Sequence, residues 1–284
     1  MKRSTAAASL FCALGLVTLT ACEDAPWHID PFNVDGRDGG EPLNYPTLMR
    51  IGAAAHAAGD LASAVSVYRK AAAVDPHNAA PFVAIGNTLM EQSNVNEAII
   101  AYNSALERDA HDPEALRGLA RAYLMTGRPE LAGQPLSVAY QDTPNDPKLL
   151  QLIGVADDFV GQHEEAQARY RRGLELMPLD PALSVNLALS LALTGNYPEA
   201  IAILQPIASG PASTPRDRQT LALIYGLAGN RVAAEQMAKI DLDPQGVSRN
   251  LAYYDSLRRL TPEGRQRAIQ SMTVQGSGAR VTRS

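Results

Sequence analysis

The chain has 284 residues and a formal net charge of −5. Lys2 and Arg3 lie in a leader-like segment; without them the charge is −7, which gives no electrostatic reason to expect a nucleic-acid partner. Hydrophobic residues make up 46% and aromatics only 5%, with much alanine, so closely packed helices are favoured over a large aromatic core.

Lys2-Arg3 is followed by an uncharged run from Ser4 to Ala21, with an apolar centre over Ala6 to Leu19. A charged start and an apolar centre have the form of a secretory signal. The run ends in Leu19-Thr20-Ala21-Cys22, which resembles the bacterial lipobox. The resemblance implies a signal peptide over residues 1–21 and acylation of Cys22 with palmitate-like chains, anchoring the protein to a membrane. An ordinary signal peptide or an uncleaved anchor is the alternative. Cys12 leaves with the signal and Cys22 is acylated, so no disulfide is expected. Glu23, where a retained lipoprotein would carry aspartate, points to the outer membrane, with the anchored protein facing the periplasm.

Residues 22–44 hold six acids against Arg37, with frequent Pro and Gly, and are expected to be a flexible acidic tether. Trp27-His28-Ile29-Asp30-Pro31-Phe32 lies inside it. This reads as two solvated aromatics beside the membrane, with a short docking motif as the alternative.

From Tyr45 the chain repeats every 34 residues, giving units 45–78, 79–112, 113–146, 147–180, 181–214 and 215–247. The twentieth position is always alanine: Ala64, Ala98, Ala132, Ala166, Ala200 and Ala234. The fifteenth is glycine except at Ser93, and the eighth is Gly52, Gly86, Ala120, Gly154, Ala188 and Ala222. A fixed period of this length is the mark of a helix-turn-helix solenoid. In the first unit Leu48, Ile51, Gly52 and Ala55 share one helical stripe. Gly59-Asp60 is the turn, Leu61, Ala64, Val65, Tyr68 and Ala71 form the second stripe, and Pro76 closes the unit. Pro135 and Pro206 fall inside expected second helices, and each should bend or shorten its helix at a cost of about 3 kcal/mol in an undistorted one.

These residues, with Tyr68, Tyr102 and Tyr170 in the second helices, resemble the tetratricopeptide repeat family. The aromatic usual at the fourth position is mostly replaced, by Leu48, Leu116, Leu150, Ser184 and Arg218, so the sixth unit matches least well. The resemblance implies an all-α fold: a right-handed superhelix of about six helix-turn-helix repeats. Beyond it, Leu251, Tyr254, Leu257 and Leu260 share a face, and Thr261-Pro262-Glu263 reads as a helix start. Residues 248–272 are therefore expected to form capping helices and 273–284 a disordered tail.

No catalytic motif is present. His28, His56, His77, His111 and His163 lack metal-ligand spacing, and there is no P-loop, Gly-x-Ser-x-Gly or His-Glu-x-x-His. The expectation is a binding protein and not an enzyme, with no cofactor, metal or small-molecule substrate. By the family's pattern the concave groove is lined by Met49, His56, Val83, Asn87, Met90 and Glu91 from the first two units. Arg117, Arg121, Leu124 and Met125 follow from the third, and Gln151, Val155, Asp158 and Phe159 from the fourth. Val185, Leu189, Leu193, Leu223 and Leu227 make an apolar second half, unless the superhelix or capping helices bury those late leucines. Such a groove suits an extended or helical protein segment, with Asn87 for its backbone and Arg117 and Arg121 for an acidic group. The lipobox, tether, length and Asn250-Leu251-Ala252-Tyr253-Tyr254 resemble lipoproteins that assist pilus or secretin assembly, most narrowly those of the tight-adherence (Flp) pilus. That resemblance implies a secretin or another pilus or secretion-machine component as partner. Scaffolding of cell-wall hydrolases and a role in outer-membrane protein insertion stand as alternatives.

Overall fold

A computed structural model describes residues 43–269. The leader, Cys22, the Trp27–Phe32 segment and the last dozen residues lie outside them. The described residues form an all-α solenoid. Unit one holds α1 (Tyr45–Ala57) and α2 (Leu61–Val74), unit two α3 (Ala80–Glu91) and α4 (Val95–Leu106), and unit three α5 (Pro113–Met125) and α6 (Pro129–Asp142). Unit four holds α7 (Pro147–Phe159) and α8 (His163–Leu176), unit five α9 (Pro181–Leu193) and α10 (Tyr197–Ser209), and unit six α11 (Pro215–Leu227) and α12 (Arg231–Ala238). α13 (Pro244–Arg258) and α14 (residues 262–269) follow. The first helix of each pair is called A below and the second B. Each A helix packs on its own B helix and, from α3 onward, on the next A helix, and each B helix packs on the A helix that follows.

The unit boundaries are local chemistry. Asp112, Asp146, Asp180 and Thr214 each accept a backbone N–H of the helix they precede, and proline stands at its first turn. Proline lacks only an N–H that would be orphaned there, and its fixed φ suits the helix. Between A and B the fifteenth residue adopts a left-handed backbone, with φ between 69° and 85° at the five glycines. Ser93 takes the same conformation, at φ 61°.

The close approach of A to B has two forms. In units one, two and four the ring of Tyr68, Tyr102 or Tyr170 lies flat against Gly52, Gly86 or Gly154. A Cβ built on these glycines would fall 2.5, 2.6 and 2.5 Å from the ring. In units three, five and six the eighth residue is alanine, and the facing B-helix position is Leu136, Leu204 or Ala238. Both arrangements are closed, since each of these six B-helix residues is buried.

The prolines do not shorten their helices. α6 keeps 14 residues with Pro135 inside it, and α10 keeps 13 with Pro206. Neither is shorter than α4, which has 12. A missing donor leaves one carbonyl free, and packing on both sides holds the remaining helix together. Among the B helices of units one to five, α6 nonetheless packs least on the A helix that follows it. The short B helix is α12, with 8 residues. As a result the next helix starts early: α13 begins at Pro244, capped by Asp243, and not at residue 248. It packs on α11 and α12 as a further A helix would. Unit six, the poorest match in sequence, replaces the usual apolar fourth residue with Arg218, whose Nε donates to Asp241 Oδ2 at 2.8 Å. That bond holds the Asp241 carboxyl below its ordinary range.

Candidate protein-binding groove

The A helices of units one to five, with the end of α10 and the loop leading to α11, surround a cleft of about 1520 Å³. Twelve residues expected in the groove line it: His56, Asn87, Met90, Glu91, Arg117, Arg121, Leu124, Met125, Gln151, Val155, Phe159 and Val185. They meet because positions 5, 9, 12 and 13 of an A helix share one face, and successive A helices stack side by side.

Met49, Val83 and Asp158 do not line the cleft. Val83 is buried in the apolar cluster of units one to three, and Met49 packs against that cluster. Asp158 turns toward the A–B turn of unit four. Its Oδ1 meets His163 Nδ1 at 2.7 Å and accepts from Ser190 Oγ at 2.7 Å, while Oδ2 accepts from Tyr170 OH at 2.9 Å. The Asp158 bond pulls the His163 pKa upward. Tyr170 is raised too, first by burial and then by the Asp158 charge. Beside it, burial pushes Asp157 up to about 6. Of the late leucines, Leu227 is buried and Leu189, Leu193 and Leu223 are half-buried. Leu227 shares its cluster with Leu257 of α13 and Ile269 of α14, so the C-terminal helices cover that end of the groove.

The polar groups of the cleft differ in their availability. His56 Nε2 and Glu91 Oε1 pair at 2.9 Å, and Arg117 is held by Asp146 at 3.0 Å. Asn87 Oδ1 accepts from Tyr102 OH at 2.7 Å, which leaves its Nδ2 for a ligand. Burial raises that phenol to about 12, so it stays a donor at any physiological pH. Arg121 and Lys148 are exposed and make no ion pair among the described residues. Lys148 and Glu114 stand at the second position of their A helices, which belongs to the family's groove pattern although its residues were not among those expected to line the groove. The wall formed by Pro206, Ile207, Gly210, Pro211, Ala212 and Thr214 could not be found from periodicity, since it depends on where α10 ends. Among the described residues there is no cluster of His, Cys, Asp or Glu able to hold a metal ion, and no helix is long and apolar enough to cross a membrane.

Comparison with known proteins fits this geometry. The sequence profiles of the tetratricopeptide repeat match residues 45–78, 83–147 and 160–224. Cellulose synthase 1 operon protein C of Komagataeibacter xylinus is 31% identical over 149 residues, which is 52% of this chain but 11% of that protein. The chain thus spans only a small part of this curated relative. Among solved structures, Pseudomonas aeruginosa PilF superposes with a TM-score of 0.60 at 19% identity, covering 74% of this chain and 97% of that one. PilW, described as a widely conserved type IV pilus biogenesis factor, superposes with a TM-score of 0.63 at 18% identity, covering 68% and 90%. At such identities the superpositions speak for the fold, and the profiles for the family: the chain belongs to the tetratricopeptide repeat family.

Proposed function

We propose that this chain is a binding scaffold and not an enzyme, and that its cleft holds an extended or helical segment of another protein. The observation that carries this reading is the cleft itself. It is a long concave surface that combines apolar side chains (Met90, Met125, Val155 and Phe159) with the unpaired cations Arg121 and Lys148 and the free amide of Asn87. Methionines adapt to irregular apolar partners, and a few placed polar groups fix the orientation of what binds. We further propose that Cys22 carries the lipid anchor, that the scaffold faces the periplasm, and that it assists assembly of a pilus or secretion machine. The leader and Leu19-Thr20-Ala21-Cys22 support the first two points. The fold shared with PilF and PilW supports the third. A secretin or another component of a tight-adherence pilus machine is the partner that this reading expects.

Capture from membranes with the full chain as bait tests it. The wild-type protein should enrich envelope assembly components, and the Arg121→Glu/Lys148→Glu protein should lose them while keeping its helical circular dichroism. Both side chains are exposed and unpaired, so the pair probes binding without disturbing the core. Asn87 is unsuited to that purpose because it supports Tyr102. Enrichment of cell-wall hydrolases or outer-membrane insertion subunits would redirect the assignment, and unchanged capture by the double variant would remove the cleft from it. Acyl labelling that persists in a Cys22→Ser protein would overturn the anchor.

A further inference from the structure

The cleft sorts its side chains into rows. Position 2 of an A helix stands at one edge, and positions 12 and 13 stand at the other, roughly 16 Å further along the helix. The first edge carries Glu114, Lys148 and Arg216, all exposed and without an ion pair among the described residues. The second carries Met90, Met125 and Phe159. Between them, positions 5 and 9 set Gln151, Asn87 and Arg121 on the floor. Asp180 and Asp217 also face the cleft, but both are engaged by the first turns of α9 and α11: Asp180 Oδ1 accepts from Leu183 N at 2.9 Å, and Asp217 closes a capping box with Thr214. Glu91 is paired with His56. Arg121, Lys148 and Arg216 thus stand against a single free acid, Glu114, in a chain whose net charge is −5.

An occupant has to answer all three rows. The floor decides its backbone. Asn87 Nδ2, the Gln151 amide and the Arg121 guanidinium are donors with no acceptor among the described residues. A helix keeps its carbonyls for its own N–H groups, whereas an extended chain leaves them free for such donors. Successive side chains of an extended chain also point to opposite sides, so alternate residues reach the two edges. From Met90 in unit two to Arg216 in unit six there are four steps between neighbouring A helices. At about 8 to 10 Å a step, that span takes about ten to twelve extended residues.

Resting on the cleft-binding reading above, we propose that the partner segment is extended and acidic, with carboxylates alternating with apolar side chains. The carboxylates meet Lys148 and Arg216, the apolar side chains cover Met90, Met125 and Phe159, and the segment's carbonyls accept from Asn87, Arg121 and Gln151. Glu114 repels a carboxylate at unit three, so the acids of the segment lie over units four to six and give it a fixed direction in the cleft.

Synthetic peptides of about twelve residues test this without an identified partner. One alternates glutamate with leucine, one lysine with leucine and one glutamate with serine; a fourth has the first peptide's composition with its leucines at helical spacing. Each is fluorescein-labelled and titrated by anisotropy against the full chain and its Lys148→Glu/Arg216→Glu and Met125→Asp variants, whose folding is checked by circular dichroism. The glutamate–leucine peptide should bind at least tenfold tighter than the other three, although the chain's net charge of −5 favours the lysine peptide. Its affinity should fall with added salt, and at least tenfold in the Lys148→Glu/Arg216→Glu protein. Binding without charge preference, tighter binding of the lysine peptide or of the helical arrangement, or unchanged affinity in both folded variants would overturn the proposal. If the peptides fail in this way while membrane capture still depends on Arg121 and Lys148, only this inference falls. If the glutamate–leucine peptide binds as expected while capture recovers no assembly component, the assembly reading falls alone.

Discussion

Units one, two and four differ from units three, five and six in how they bring two helices together. The first three put a tyrosine ring on a glycine; the others put leucine or alanine against alanine. The difference extends along the whole B helix. The tyrosine units have uninterrupted B helices, α2, α4 and α8, whereas the others carry Pro135 in α6, Pro206 in α10, or only 8 residues in α12. In units two and four the tyrosine hydroxyl also reaches across the A helix, to Asn87 and Asp158. A ring packed on a bare backbone ties A to B along its length and ends in a polar contact. A leucine or alanine offers less, and its B helix tolerates interruption.

That contrast can be broken most sharply at Gly86. Its ring partner Tyr102 is fully buried and is also pressed by Gly118, so it has nowhere to move. Gly86→Ala should lower the stability measured by urea unfolding by about 3 kcal/mol, despite alanine's better helix propensity. The same substitution at Gly52 should couple to its partner. In a double-mutant cycle of Gly52→Ala with Tyr68→Leu, the pair should be more stable than the sum of the single changes predicts, by at least about 1 kcal/mol. Additivity would mean that the ring and the glycine are independent, and the distinction between the two kinds of unit would collapse.

Pro206 sharpens the other side. It is exposed within α10, so Pro206→Ala restores a backbone donor at little packing loss and should raise stability by roughly 1 to 2 kcal/mol. A loss instead would show that unit five has adapted its packing to the interruption. In unit two, Ser93→Gly should raise stability by about 1 kcal/mol, since serine there holds a left-handed backbone at φ 61°. No change in the thermal midpoint would contradict it.

The smallest effect concerns unit four. Burial raises Asp157 from 3.8 to about 6, so the folded chain keeps a proton that the unfolded chain gives up. The stability from that proton is present at low pH and lost as pH climbs from about 4 to 6. His163 is raised above 6.5 by its bond to Asp158, and its contribution is present below that value and lost as pH rises through the folded pKa. Both slopes have the same sign. Unfolding between pH 5 and 8 should therefore show a decline below about 1 kcal/mol, screened because Asp157 is only half-buried. Asp157→Asn should flatten its acid end and His163→Gln its alkaline end.

The 34-residue period, the glycine turns, the Asp-Pro and Thr-Pro starts and the alanine at position 20 determined the helix pairs and most of their ends, because caps, turns and helical stripes act between residues a few places apart. Most of the expected cleft residues were legible for the same reason: a groove position is a place on one helix face. Only the tertiary structure decided which of them are available. Arg117 is engaged by Asp146 and Asn87 is half used by Tyr102, while Asp158 serves the turn of unit four. Only the tertiary structure laid Gln266 on the end of α7, 108 residues earlier in the chain. A local period fixes how each helix faces its nearest neighbours. Where the C-terminal residues return depends on six successive packing angles and on the early end of α12, which the repeat does not encode.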